Sequence, residues 1–147
     1  MFERFLDNAH RVVLMARTEA HEFGSDQVEA EHLLLGIVRE DKDLLAHLQL
    51  PPEVAIRSRM RSSGLPKAEA AYRELPMSLA AEQALDRGAQ EAARLGHQQV
   101  APIHLLMGLL QDEQSVAYEL LKSHGITLAQ VEELSRKQLP MPPESTS

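Results

Sequence analysis

The sequence predicts an all-α fold of eight helices in two four-helix units. Three observations carry that prediction. Apolar residues recur at spacings of three and four, and no stretch alternates as a strand would. Shifting the chain against itself by 72 positions gives nine identities in the eighteen positions of residues 19–36. Glycines fall where the first helix of each copy should stop. The shift places Glu19-Ala20 on Glu91-Ala92, Gly24 on Gly96 and Gln27-Val28 on Gln99-Val100. It also places His32-Leu33-Leu34 on His104-Leu105-Leu106 and Gly36 on Gly108. Internal similarity at that period marks stacked supersecondary units.

Each element has its own reason. Phe2, Phe5, Ala9, Val12, Ala16, Ala20 and Phe23 form an amphipathic stripe, so one long helix is expected to run from the amino terminus to Gly24. The segment from His32 to Val38 is apolar nearly all round and belongs in the middle of a bundle. Shorter helices are expected over about 43–49 and 52–62, parted by Pro51-Pro52. Ser62-Ser63-Gly64-Leu65-Pro66 and Leu75-Pro76 then bracket a linker, with a helical turn expected around residues 67–72. In the second copy Gly96 ends the first helix and Pro102 suits the first turn of the next. Helices over 115–123 and 128–138 follow, parted by Gly125-Ile126-Thr127. The organisation is repeat one at 1–62, linker at 63–76, repeat two at 77–138 and a fraying tail at 139–147.

Composition narrows the function classes. The chain has 147 residues, long enough for one domain, or two small units sharing a core, without staples. Having no Cys, it holds no disulfide, thiol nucleophile or Cys-ligated metal. A net charge of −7, shared between both halves, opposes bulk attraction to nucleic acid or anionic membrane. No apolar run approaches the roughly 20 residues that span a bilayer, and Met1-Phe2-Glu3-Arg4-Phe5 is no signal peptide, so a soluble, cytoplasmic protein is expected. The seven His include no pair three or four apart, which a zinc helix would need. His32 and His104 are expected to satisfy groups near a helix start instead. Glu29, Glu31 and Glu40-Asp41 are candidate acid/base carboxylates, and helix-start charge accounts for the first two. No Gly-x-Ser-x-Gly elbow and no phosphate-binding Gly-x-x-x-x-Gly-Lys loop occurs. No enzyme activity, metal or cofactor is expected.

The opening Met1-Phe2-Glu3-Arg4-Phe5, the run Glu31-His32-Leu33-Leu34-Leu35-Gly36 and the turn Leu95-Gly96-His97 before Val100 resemble the amino-terminal repeat domain of Clp ATPases, most nearly the ClpC type. The resemblance covers residues 1–138. It implies two pseudo-twofold-related four-helix repeats in one compact domain, and a non-catalytic module that recruits substrates or adaptors for a Clp unfoldase and its protease, or modulates it. The alternative is an accessory subunit docking on the Clp proteolytic core. Partners are then Clp ATPase or peptidase subunits and substrate or adaptor proteins.

ClpC-type domains are similar to one another in binding phosphoarginine at two sites, each using a Thr at a helix start and the Glu of a Glu-His pair. By that likeness repeat one keeps Glu31 but has Leu6 for the Thr. Repeat two keeps a hydroxyl at Ser78 but has Ile103 for the Glu. Both sites are then expected to be broken, leaving apolar or mixed peptide segments as ligands along a groove bordered by Phe2, Leu6, Met77 and Ile103. Phe2, Phe5 and Met77 can equally serve as core of the first helix of each repeat.

Overall fold

The computed structural model describes residues 3–60 and 75–138. Eight helices lie among them: α1 (Asp7–Glu22), α2 (Ala30–Glu40), α3 (Lys42–His47), α4 (Glu53–Arg57), α5 (Leu79–Arg94), α6 (Pro102–Leu109), α7 (Val116–Ser123) and α8 (Leu128–Gln138). The order repeats, and α1 and α5 are 72 positions apart at both ends. Both end before a glycine in the left-handed region, Gly24 at φ 82° and Gly96 at φ 78°, where a side chain would be strained.

The central pair is α2 and α6. Leu33, Leu34, Ile37, Leu105, Leu106 and Leu109 are at most 1% exposed, so the all-round apolar pattern does place these helices inside. Small residues bring their neighbours close. Ala9, Val12, Ala16 and Ala20 of α1 are fully buried, as are Ala81 and Leu85 of α5. A Cβ on Gly36 would lie 2.6 Å from the Val12 carbonyl oxygen, so α1 and α2 cross nearly backbone to backbone. Truncating Leu34 or Leu106 to Ala should cost about 3 kcal/mol. Urea melts of L34A and L106A check this, and a loss below about 1 kcal/mol would place the helix at the periphery.

The first helix differs from expectation. It begins at Asp7 with Leu6 as its N-cap, rather than at the amino terminus. Phe5 continues the helical spacing, but its backbone is committed elsewhere. The Val100 N–H donates to the Arg4 carbonyl (2.7 Å) and the Leu6 N–H to the Val100 carbonyl (2.8 Å). Phe5 therefore forms an isolated bridge with Val100 and reaches the core, 5% exposed, from extended chain. Phe2 lies outside the described residues.

In the fourth helix, regular α-helix stops at Arg57, well short of residue 62. The Ser58 hydroxyl donates to the Ala55 carbonyl (2.7 Å), and the Arg59 and Met60 N–H groups donate three residues back to Ile56 and Arg57. The chain has tightened out of the α-helical pattern there. Residues 61–74 and 139–147, with most of the expected linker, its helical turn and the tail, lie outside the described residues.

Candidate functional site

Two isolated bridges set the geometry of the site. Phe5 pairs with Val100, and Met77 pairs with Val28. The 72-residue shift turns Phe5 into Met77 and Val28 into Val100, so it exchanges one bridge for the other. The hydrogen bonds follow suit: the Val28 N–H donates to the Pro76 carbonyl (2.8 Å) and the Ser78 N–H to the Val28 carbonyl (2.9 Å). Each repeat thus lays the start of its first helix against the segment entering the second helix of the other.

This exchange overturns the pairing expected within each repeat. Leu6 meets Ile103, not Glu31, and together they line a cleft of about 300 Å³ with Asn8, Pro102, Asp41 and Asp43. At the equivalent place Glu29, Glu31 and Ala80 line a cleft of about 230 Å³ with Gln114, Ser115 and Val116. Ser78 is the N-cap of α5 beside that second cleft, two residues before Ala80 and bonded to Val28. Glu31 and Ser78 therefore lie toward one end, and the apolar Leu6 and Ile103 line the cleft at the other. Met77 packs partly buried against the core at the Val28 bridge, whereas Leu6 belongs with Ile103. Of the expected groove, Leu6 and Ile103 line one cleft and Met77 lines neither, while Phe2 lies outside the described residues.

The polar groups have local duties. The Ser78 hydroxyl accepts from the Ala81 N–H (3.1 Å), while Leu6, its counterpart, offers α1 no side-chain cap. Glu31 is 6% exposed, in the first turn of α2 where the helix dipole favours a carboxylate. On the first cleft's rim Asp41 caps α3 by accepting from the Leu44 N–H (3.2 Å). Burial pushes the Asp41 carboxyl above its ordinary value, and the Asp43 charge adds to the rise. Periodicity and motifs do not mark the rim aspartates as a binding feature. The signal available in the sequence is the charge pair Glu40-Asp41 at a helix break.

His32 and His104 hold the entries to α2 and α6. The His32 Nδ1 accepts from the Glu29 N–H (2.8 Å), and the His104 Nδ1 accepts from the Ala101 N–H (2.9 Å). With Nδ1 accepting, the proton of neutral His104 sits on Nε2, which donates to the His97 Nδ1 at 2.8 Å. Both rings are fully buried, and burial pushes each imidazole down to about 4. His97 adds to the fall at His104, while Glu29 and Glu19 oppose it at His32. These histidines fix the backbone that presents Glu31 and Ile103. Among the described residues no cluster of three or more His, Asp or Glu could hold a metal ion.

The fold and the exchanged helix starts define a class: a duplicated all-helical domain with two cross-repeat clefts. The chain carries a Clp N-terminal repeat domain, homologous to the N-terminal regions of ClpA- and ClpC-type proteins. Residues 76–147 match the family described as the Clp repeat (R) N-terminal domain. A ClpA homolog, the ATP-binding subunit of an ATP-dependent Clp protease from Porphyra purpurea, is 30% identical over 139 residues, 89% of this chain and 16% of that protein. The chloroplastic chaperone ClpC1 of Oryza sativa subsp. japonica is 31% identical over 133 residues, 85% of this chain and 14% of its own length. The chain thus spans about a sixth of the curated relatives it matches.

Among solved structures, the N-terminal domain of the chaperone ClpD from Arabidopsis thaliana superposes with a TM-score of 0.71 at 24% identity, covering 95% of this chain and 96% of that one. The Hsp104 N-terminal domain from Candida albicans gives 0.75 at 20% identity, covering 95% and 94%. These likenesses establish the fold. Among the described residues no helix is long and apolar enough to cross a membrane.

Proposed function

We propose that this chain is a non-catalytic, cytoplasmic protein-binding module that recruits substrate or adaptor proteins to a Clp unfoldase or modulates one. The observation that carries the reading is the pair of open clefts where the repeats meet, each walled by a helix start from both. Clefts open to solvent and lined by both repeats support a partner segment there, and His32 and His104 are committed to backbone bonds rather than chemistry.

The exchange also removes the reason for expecting no phosphoarginine binding. Glu31 lines one cleft and Ser78 caps the helix start beside it, so a carboxylate for a guanidinium and a hydroxyl for a phosphate stand at the same end. One such cleft supports one phosphoarginine per chain rather than none.

The test is a titration of isotopically labelled chain with casein as an unfolded client, read by amide chemical shifts. Shifts concentrated at residues 6–8, 29–31, 78–80 and 101–103 are expected. No saturable shift, or shifts spread evenly over the surface, would overturn the reading.

A further inference from the structure

The two clefts are equivalent by position and opposite in chemistry. Each has two carboxylates, but on different walls. In the Glu31 cleft they stand on the α2 entry, facing the neutral Gln114 and Ser115. In the Leu6 cleft the α6 entry is apolar, and the acids, Asp41 and Asp43, lie on the opposite rim at the start of α3. The 72-residue shift sets Ile103 against Glu31 and Asp43 against Ser115, while Asp41 falls on Glu113, which does not line the second cleft.

The helix starts differ in the same sense. An anion at a helix N-terminus needs free backbone N–H groups. At α6 the first position is Pro102, which has none, whereas the N-cap N–H is taken by a histidine in both copies, Ala101 by His104 and Glu29 by His32. At α2 the corresponding first residue is Ala30, which retains its donor. The Leu6 cleft is therefore poorly suited to phosphate and well suited to an apolar group with a cation outside it. Its lining contains no Lys or Arg to neutralise the aspartates.

From this complementarity we propose that the Leu6–Ile103 cleft takes an apolar side chain, such as Leu or Met, followed directly by Lys or Arg in an extended segment of a client protein. The apolar group rests on Leu6, Pro102 and Ile103. The cation pairs with Asp43 and Asp41 at the rim. The assignment rests on the protein-binding reading and gives one of its two clefts a sequence preference.

Blocked peptides test it: acetyl-Gly-Leu-Arg-Gly-amide, the same peptide with Glu for Arg, and the same with Ser for Leu. Titrated into labelled chain, the first should saturate shifts at Leu6, Asp43 and Ile103. The Glu peptide should bind about fivefold more weakly, and the Ser peptide about tenfold more weakly. Asp43 is exposed, so D43N should melt as the unaltered chain does and bring the Arg and Glu peptides within about twofold of each other. D43E should restore the preference. Equal affinity for the Arg and Glu peptides, or shifts confined to the Glu31 cleft, would overturn the proposal. Casein binding that persists without peptide preference overturns this assignment alone, whereas failure of the unaltered chain to bind casein overturns the broader reading.

Discussion

Replacing Gly108 by Ala should unfold the second repeat. A Cβ there would stand 2.1 Å from the Ala84 carbonyl oxygen and 2.8 Å from the Gly88 amide nitrogen. Both are backbone atoms of α5, so no side chain can swing aside. The helices would have to part by about 1 Å, and a close-packed interior yields poorly to that. Gly88 makes the complementary approach, where a Cβ would sit 2.9 Å from the His104 carbonyl oxygen. The expected loss for G108A exceeds about 4 kcal/mol, the range reserved for changes that break packing outright. Gly125 is the control: its φ of 76° strains a side chain, but nothing lies within 4 Å. G125A should cost only about 1 kcal/mol. Denaturant melts by circular dichroism separate the two. A G108A chain with a native-like midpoint would mean that α5 and α6 do not cross as described.

Mild acid should destabilise the domain. His32 and His104 titrate near 6.5 when unfolded and only at about 4 when folded. The folded-state values are depressed, so the unfolded chain binds the extra protons between those limits. The stability is fully present above about pH 6.5 and is lost as pH falls toward 4. Each ring contributes about 3 kcal/mol across that window. Protonation is resisted for a geometric reason as well as a dielectric one. A proton on Nδ1 would face the N–H of Glu29 or Ala101 and would turn an acceptor into a second donor. Urea melts from pH 7 to 4.5 should show falling midpoints, with a smaller fall in H32Q/H104Q. A flat profile in the unaltered chain would contradict the buried, neutral assignment.

Much of the architecture was legible because periodicity reports burial directly. The run from His32 to Val38 has apolar residues on every side, and only a helix in the middle of a bundle can satisfy that. The start of α1 was not legible. Phe5 keeps helical spacing with Ala9, and spacing cannot reveal that its neighbours' backbone groups are bonded to Val100, far along the chain. The site failed for the same kind of reason. Glu31 and Ser78 were each recognisable by type, but which residue faces which depends on how two copies pack. The aligned repeat is silent on that, because a side-by-side and an exchanged arrangement leave identical internal similarity. Asp41 and Asp43 are a further instance, since a rim is defined by what lies across it.

The exchanged bridges have a consequence for how such a domain can change over generations. A binding surface owned by one repeat would carry all its mutations within that repeat. Here each cleft is inherited jointly, so a substitution at position 6 alters the ligand choice of the wall bearing Ile103, and one at position 31 alters that of the helix begun by Ser78. A change in either half can shift a cleft's client, and re-matching its two walls takes paired changes, one in each half. Equally, neither half holds a complete pocket. A chain severed between residues 60 and 75 would recover ligand binding only as the product of its two fragments' concentrations, which makes reassembly a gate on recognition.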